Sequence, residues 1–298
     1  MILHNTRALW VARATLLLVA LCFFNSCPLA AQQRPLLTQE VEVVTPKEIL
    51  VQVGFEFLQD VQFPLSGLTG DLTRVGALAF HLGMSRAVEI QMEGTVRNFL
   101  SVTGQRPGFV LPTLQNNGTA TNDFGEFTLA TKVKLVPERG KRPAFGLRFG
   151  VELPTTDERR GLGLNTTNAF AAVLVQKHFG RVNTFGHVGV AILQAPAGLF
   201  SQNDVLLLGW ALVLSVHERV NIVGEIQGRK STRATPDTSA LVGTGSRGEA
   251  RLGVQIFTGG FRWDVAAIAG LTRRDAETGL SFGVSKTFRG FFGLGRDN

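Results

Sequence analysis

From Val51 to Phe57 every odd position is apolar, and the even positions are Gln52, Gly54 and Glu56. Successive side chains of a strand point to opposite faces, so this segment offers one face to an apolar medium and the other to a wet one. The pattern recurs along the chain. In 87–97, Val88, Ile90, Met92 and Val96 alternate with Glu89, Gln91, Glu93, Thr95 and Arg97. Phe127, Leu129, Val133 and Leu135 alternate with Glu126, Thr128, Lys132 and Lys134, and Phe145, Leu147, Phe149, Val151 and Leu153 with Gly146, Arg148, Gly150 and Glu152. The segment 72–82 sets Leu78, Phe80 and Leu82 against Thr73, Ala77 and His81, and 206–216 sets Leu206, Leu208, Trp210, Leu212, Leu214 and Val216 against Gly209, Ala211 and Ser215. In 220–229, 248–257, 261–271 and 279–288 the polar face carries Glu225, Gln227, Arg229, Glu249, Arg251, Gln255, Arg262 and Asp264. Only 168–178 and 182–192 carry apolar residues on both faces, and their inward set stays unassigned.

The gaps between these segments are by turns long and short. Long ones lie near 59–71, 100–124, 154–167, 193–204, 230–246 and 272–278; short ones are pieces such as Phe179–Arg181, His217–Arg219 and Thr258–Gly260. About twelve strands of roughly ten residues, joined by alternately short and long loops, predict a transmembrane antiparallel up-and-down β-barrel over 49–288 with both ends on the periplasmic side. A soluble β-sandwich also alternates, but the loop rhythm and the mid-strand charges weigh against it.

Residues 1–31 carry Arg7 and Arg13, no acidic residue, an apolar stretch from Ala14 to Phe24, and Ala30 and Ala31 before Gln32. The apolar core is too short for about 30 Å of hydrocarbon, so the stretch is expected to be a cleaved secretory signal peptide. An arm over 32–48 is expected in the periplasm and a tail over 289–298 after the last strand. Both cysteines, Cys22 and Cys27, lie in the leader, so cleavage leaves no thiol for a disulfide, a nucleophile or a metal. Cys27 as a lipid-bearing residue is the weaker alternative, because a closed barrel needs no lipid anchor.

The formal charge of +7 falls to +5 with the loss of Arg7 and Arg13, and the basic residues form no single face, which argues against a nucleic-acid partner. Arg159, Arg160, Arg229, Lys230, Arg233, Arg247, Arg273 and Arg274 fall in the long-loop regions, where they suit lipopolysaccharide phosphates or are ordinary solvated charge. There is no Tyr, so twenty-two Phe, with Trp210 and Trp263, must form any aromatic girdle.

Residues 122–192 carry a more specific signal. Asn122-Asp123-Phe124-Gly125-Glu126, Lys132-Val133-Lys134-Leu135, Phe149 to Asp157, Gly161-Leu162-Gly163 and Gln176 to Gly180 together resemble the outer-membrane proteins of the putative meta-pathway of phenol degradation family. The likeness covers most of the mature chain in order and spacing, through turns and strand edges. It implies an outer-membrane barrel that moves small hydrophobic, often aromatic compounds, with no catalytic residues to carry over. Gly279 to Phe288 looks like the closing strand that barrel-assembly machinery recognises, although the chain continues to Asn298.

Other motifs weigh less. Gly243-Thr244-Gly245-Ser246-Arg247-Gly248 has the spacing of a dinucleotide fingerprint, but a strand pattern follows where that motif needs a helix. Glu40 to Pro46 faintly resembles the box by which plugged receptors engage an energising partner, yet the chain has no room for a plug domain and some 22 strands. His81, His178, His187 and His217 form no metal motif, and no cofactor is expected. An outer-membrane lipid hydrolase would need a His beside a Ser, and Ser is scarce on the inward faces.

The inward charges are Glu56, Glu89, Glu93, Arg97, Glu126, Lys132, Lys134, Arg148, Glu152, Glu225, Arg229, Glu249, Arg251 and Asp264. Interiors of mixed sign either fill with pairs or line a water path. The expectation is a narrow lumen for passive uptake of small hydrophobic or aromatic molecules, without enzymatic activity; the alternatives are the hydrolase and a plugged structural or adhesive barrel. Glu89, Glu93 and Arg97 should point inward together and meet Lys132 or Lys134 on a neighbouring strand.

Overall fold

A computed structural model describes residues 34–196, 201–233 and 242–290. The leader with both cysteines, parts of two long loops and most of the tail lie outside the described residues. The strands are β1 (Glu48–Phe63), β2 (Leu68–Gly83), β3 (Val88–Gln105), β4 (Ala120–Asp123), β5 (Phe127–Val136), β6 (Ala144–Leu153), β7 (Asn168–Phe179), β8 (Val182–Gln194), β9 (Gln202–His217), β10 (Val220–Ser231), β11 (Arg247–Thr258), β12 (Phe261–Gly270) and β13 (Thr278–Arg289). β4 pairs only with the upper part of β3, through Asn98 to Ser101, and the other twelve form a closed antiparallel barrel. Each stave pairs with its neighbours in sequence, and β13 closes the ring on β1 from Glu48↔Arg289 to Leu58↔Gly279. Closure removes every sheet edge, which strands in a hydrocarbon layer require.

Connections at the short-turn end run from two to seven residues; those at the long-loop end are mostly longer, except that β1 and β2 run on through most of 59–71, where the sequence predicts a long loop, and leave a four-residue turn. Three of the short-end connections are two residues long, and in one, Gly259-Gly260, both residues have positive φ, 59° and 75°, as a two-residue hairpin turn of the primed type needs. Outward residues such as Phe149, Leu208, Trp210, Leu252 and Trp263 are exposed, while their sequence neighbours face inward and are buried or half-buried. Crossing a bilayer takes about 9–11 residues, whereas β1, β2 and β3 have 16, 16 and 18. On β1 the outward apolar set runs from Ile49 to Phe57 and then gives way to exposed Gln59 and Asp60, so these strands rise past the apolar band on the long-loop side.

The missing Tyr has a partial answer at the short-turn rim. The Lys286 ammonium lies 4.2 Å from the Phe261 ring centre and 5.5 Å from that of Phe288. Lys177 stands 5.9 Å from the Phe179 ring. A cation beside a Phe ring supplies the polar end that Phe lacks.

Two phase shifts correct the sequence reading. Gly76, at φ 65°, is an extra residue in the pairing of β2 with β1. Below it Ala77, Ala79 and His81 are buried; above it Leu72 is buried, and Thr73 pairs with outward Phe57 and so points outward instead of into the lumen. β3 makes the matching shift between Thr95 and Arg97. Glu89 and Gln91 are buried below it, whereas above it Leu100 is buried and Phe99 is exposed.

Candidate functional site

The arm expected in the periplasm lies instead inside the barrel, where residues 35–41 are buried except Leu37. Its described part runs from Arg34 against β11, crosses to β7 and β3, and leaves at the short-turn end, where the Lys47 N–H donates to the Gly83 carbonyl. Its backbone has no strand partner, so lumen side chains satisfy it, as buried amides require. The Leu37 and Thr38 N–H groups each donate to Glu225 at 2.8 Å. The Val41 and Glu42 N–H groups donate to the Gln176 side chain, and the Val44 N–H donates to Glu89 at 2.6 Å. Gln255 and Arg251 donate to the carbonyls of Arg34 and Pro35.

The arm also explains the poorly phased segments. Leu36 packs among Phe185, Ala211, Val213 and Val223, and Val41 between Ala144 and Leu174. The inward face of β7 and β8 is apolar at these points because it meets apolar arm residues instead of water.

Two charge clusters flank the crossing. On the β3 side His81 sits between two carboxylates, with Nδ1 3.1 Å from Glu89 and Nε2 3.1 Å from Glu93. Lys132 Nζ is 3.3 Å from Glu89, and Arg148 reaches Glu93 at 3.0 Å and the Gln91 side-chain oxygen at 2.7 Å. Arm residue Gln39 joins this network through Glu93 and Gln91, and Lys134 holds Glu42 of the arm at 2.8 Å. On the far side Arg251 meets Glu56 at 2.9 Å, Glu249 at 2.7 Å and Glu225 at 3.7 Å, while Arg74 adds a 3.1 Å contact to Glu56. Within these two clusters each buried charge lies within reach of an opposite one, the condition under which a wall of this kind is tolerable.

The remaining sequence candidates fall as follows. Glu152 faces inward and accepts from Asn168. Asp264 is buried beside Arg262, which donates to Ser285. Arg229 donates to the carbonyls of Gly243 and Gly245, so the glycine run that imitates a dinucleotide motif is a loop turn held by an arginine, followed by β11. Arg97 is the exception: it pairs with outward Val75, donates to Asn122 and stacks 4.9 Å from the outward Phe124 ring, because of the phase shift below it. Glu93 therefore takes Arg148 as partner, and Lys132 goes to Glu89. Sequence reasoning missed the arm, Gln176 and the part of His81; the apolar inward residues of 168–192 were the one visible signal.

Toward the long-loop end the lumen turns apolar. Leu58, Val61, Leu68, Leu72, Leu100 and Ile268 form one buried cluster, with Leu114 and Leu162 packed on it from the loops. Ser66 Oγ donates to the Gly161 carbonyl and Thr121 Oγ1 to that of Arg160, tying three loops together.

Just beyond β5, Glu126 accepts from the Leu164 N–H at 3.1 Å. Burial, reinforced by the charge of Glu152, pushes its carboxyl up to about 7, against the opposing pull of that hydrogen bond, Arg229 and Arg247. Between the ordinary carboxylate value and about 7 the folded state holds the proton that the unfolded chain has lost, so stability falls as pH rises through this window. Glu126→Gln is expected to flatten that fall. Urea midpoints measured from pH 4.5 to 8 check it; an unchanged slope would contradict the assignment.

The sequence matches no family model, and no curated protein matches it. Among solved structures the chain is similar to an outer membrane channel from Pseudomonas putida F1, with 12% identity, a TM-score of 0.58, and coverage of 83% of this chain and 98% of that one. It is also similar to the NanC porin, with 10% identity, a TM-score of 0.48, and coverage of 80% and 98%. The translocator domain of the autotransporter NalP from Neisseria meningitidis aligns with 11% identity, a TM-score of 0.45, and coverage of 95% and 96%. The fold is that of an outer-membrane barrel.

Proposed function

We propose that the protein resides in a bacterial outer membrane, after export and loss of its leader, and passes small hydrophobic or aromatic molecules inward without chemical change. The observation that carries this reading is the division of the lumen. An apolar compound meets first the Leu58, Leu68, Leu72, Leu100 and Ile268 cluster, where it can leave water, and then a charged half crossed by the arm. That the Pseudomonas putida neighbour is an outer membrane channel, and the likeness of residues 122–192 to the phenol-degradation family, agree with it. The arm is held by hydrogen bonds, the Lys134–Glu42 ion pair and two small apolar contacts, a set that can be exchanged for water and a passing solute. A lipid hydrolase is less well supported, because both ring nitrogens of the lumen residue His81 face carboxylates, which leaves neither for a serine.

The test is flux into proteoliposomes for a panel of toluene, phenol, benzoate and glucose. The protein should speed the aromatic solutes over glucose, and deletion of residues 34–46 should raise glucose and ion flux as well. Aromatic flux no faster than in empty vesicles, from a folded barrel, would remove the transport reading; lipid turnover in the same vesicles would favour the hydrolase.

A further inference from the structure

On the long-loop rim the turn after β1, the segment following β3 and the loop between β12 and β13 enclose a cleft of about 490 Å³. Its walls include Arg106, Arg273 and Arg274; Phe63, Leu68 and Pro107 are its main apolar lining. None of its ten lining residues is acidic. The volume lies in the range of small-molecule sites, about 300–1,000 Å³. The cleft sits above the apolar band of the barrel, since the outward faces of β1 and β2 are already polar at Gln59, Asp60, Asp71 and Thr73.

The walls are held by their own backbone. The Arg106 N–H donates to the Gly67 carbonyl at 2.9 Å, and the N–H groups of Phe109 and Val110 both donate to the Leu65 carbonyl. Gly67 has φ 73°, and a Cβ there would lie 2.0 Å from the Arg106 carbonyl oxygen, so only glycine permits this approach. Across the cleft, Asp275 accepts from the Thr272 N–H and hydroxyl and from the Gly248 N–H, which fixes the turn carrying Arg273 and Arg274. The Arg106 and Arg273 side chains thus spring from anchored backbone and reach into solvent.

We infer that this cleft is a reception site for amphipathic organic anions, above all arylalkyl and aliphatic carboxylates. Arginine matches the two oxygens of a carboxylate with two parallel donors, and no lining residue of the cleft is an acid that would compete with a ligand for Arg106 and Arg273. Charge alone would give little, because exposed ion pairs are screened. The apolar lining adds what an inorganic anion cannot use: Leu68 is shared with the buried cluster at the top of the lumen, and Phe63 packs against that cluster. A carboxylate held by the arginines would therefore direct its hydrocarbon part toward the apolar interior. The inference rests on the transport reading and narrows it to the anionic members of the substrate class.

The test is calorimetry on the full-length protein in a non-ionic detergent, with 3-phenylpropionate as probe and 3-phenylpropanol and inorganic phosphate as comparisons. Phenylpropionate should bind about tenfold or more tightly than either, and Arg106→Ala with Arg273→Ala should lose that margin. Gel migration with and without heating reports whether the barrel is folded; should the alanine pair not fold, Arg106→Gln with Arg273→Gln carries the same expectation. Phenylpropionate binding that survives these changes overturns the inference. Equal affinity for the alcohol, or for phosphate alone, overturns it too, the latter by showing a simple anion or lipid-phosphate site. Toluene flux should be unchanged in the variants. Binding without any aromatic flux would sink the transport reading and leave the site, whereas flux without binding would do the reverse.

Discussion

Replacing Lys132 with Met is expected to destabilise the barrel by about 3–5 kcal/mol, because it takes the lysine from a fully buried carboxylate and leaves only His81 to pair with it. Lys132 and Glu89 are both fully buried, face each other across β3 and β5, and lie 3.3 Å apart. Glu89 keeps the Val44 N–H, the Gln91 amide and His81, which places the loss toward the lower end of that range. The double variant Lys132→Met with Glu89→Gln should recover part of it, since an absent pair costs less than a broken one. Urea unfolding of protein in detergent measures both, and strictly additive losses would show that the two groups do not interact. Glu93 with Lys132 should be close to additive, because Glu93 is paired with Arg148.

The second large effect separates the two faces of one strand. Phe145 and Phe149 of β6 are exposed on the outer surface, and Leu147 between them shares their face. Leu147→Arg near the middle of the apolar band should cost about 2–4 kcal/mol. Arg148→Ala, one residue on, touches no lipid. It releases Gln91 and Glu93 and the 5.0 Å stack on Phe170, so its effect should be on conductance and on the hold of the arm. Equal losses from the two changes, or labelling of a Cys at 148 by a lipid-side reagent, would reverse the assigned phase.

The twelve staves, their order and their closure were legible in the sequence because a strand in a bilayer answers to two solvents at once. Lipid outside and polar groups inside force a period of two on each segment, and the short and long loops then fix the up-and-down path. That is why Glu89, Lys132, Arg148, Glu225 and Arg251 could be set on the inner wall from alternation alone. The same rule failed where the backbone departs from an ideal strand. The shifts at Gly76 and between Thr95 and Arg97 each add one residue to a face, which turned Thr73 and Arg97 outward. A glycine inside a strand announces such a shift only weakly.

The arm lay further beyond reach of a sequence reading. Between Leu36 and Val44 only Glu40 to Val43 alternates, too short a run to place the segment, and its position in the lumen depends on acceptors at Glu225, Gln176 and Glu89 contributed by three separate strands. The same holds for the pairing of each charge and for the arginine-walled cleft, where three loops far apart in the chain converge. Alternation determines which side of a wall a residue faces. Which residues meet across the enclosed space is decided only when the barrel closes, because those contacts join groups that no local period relates.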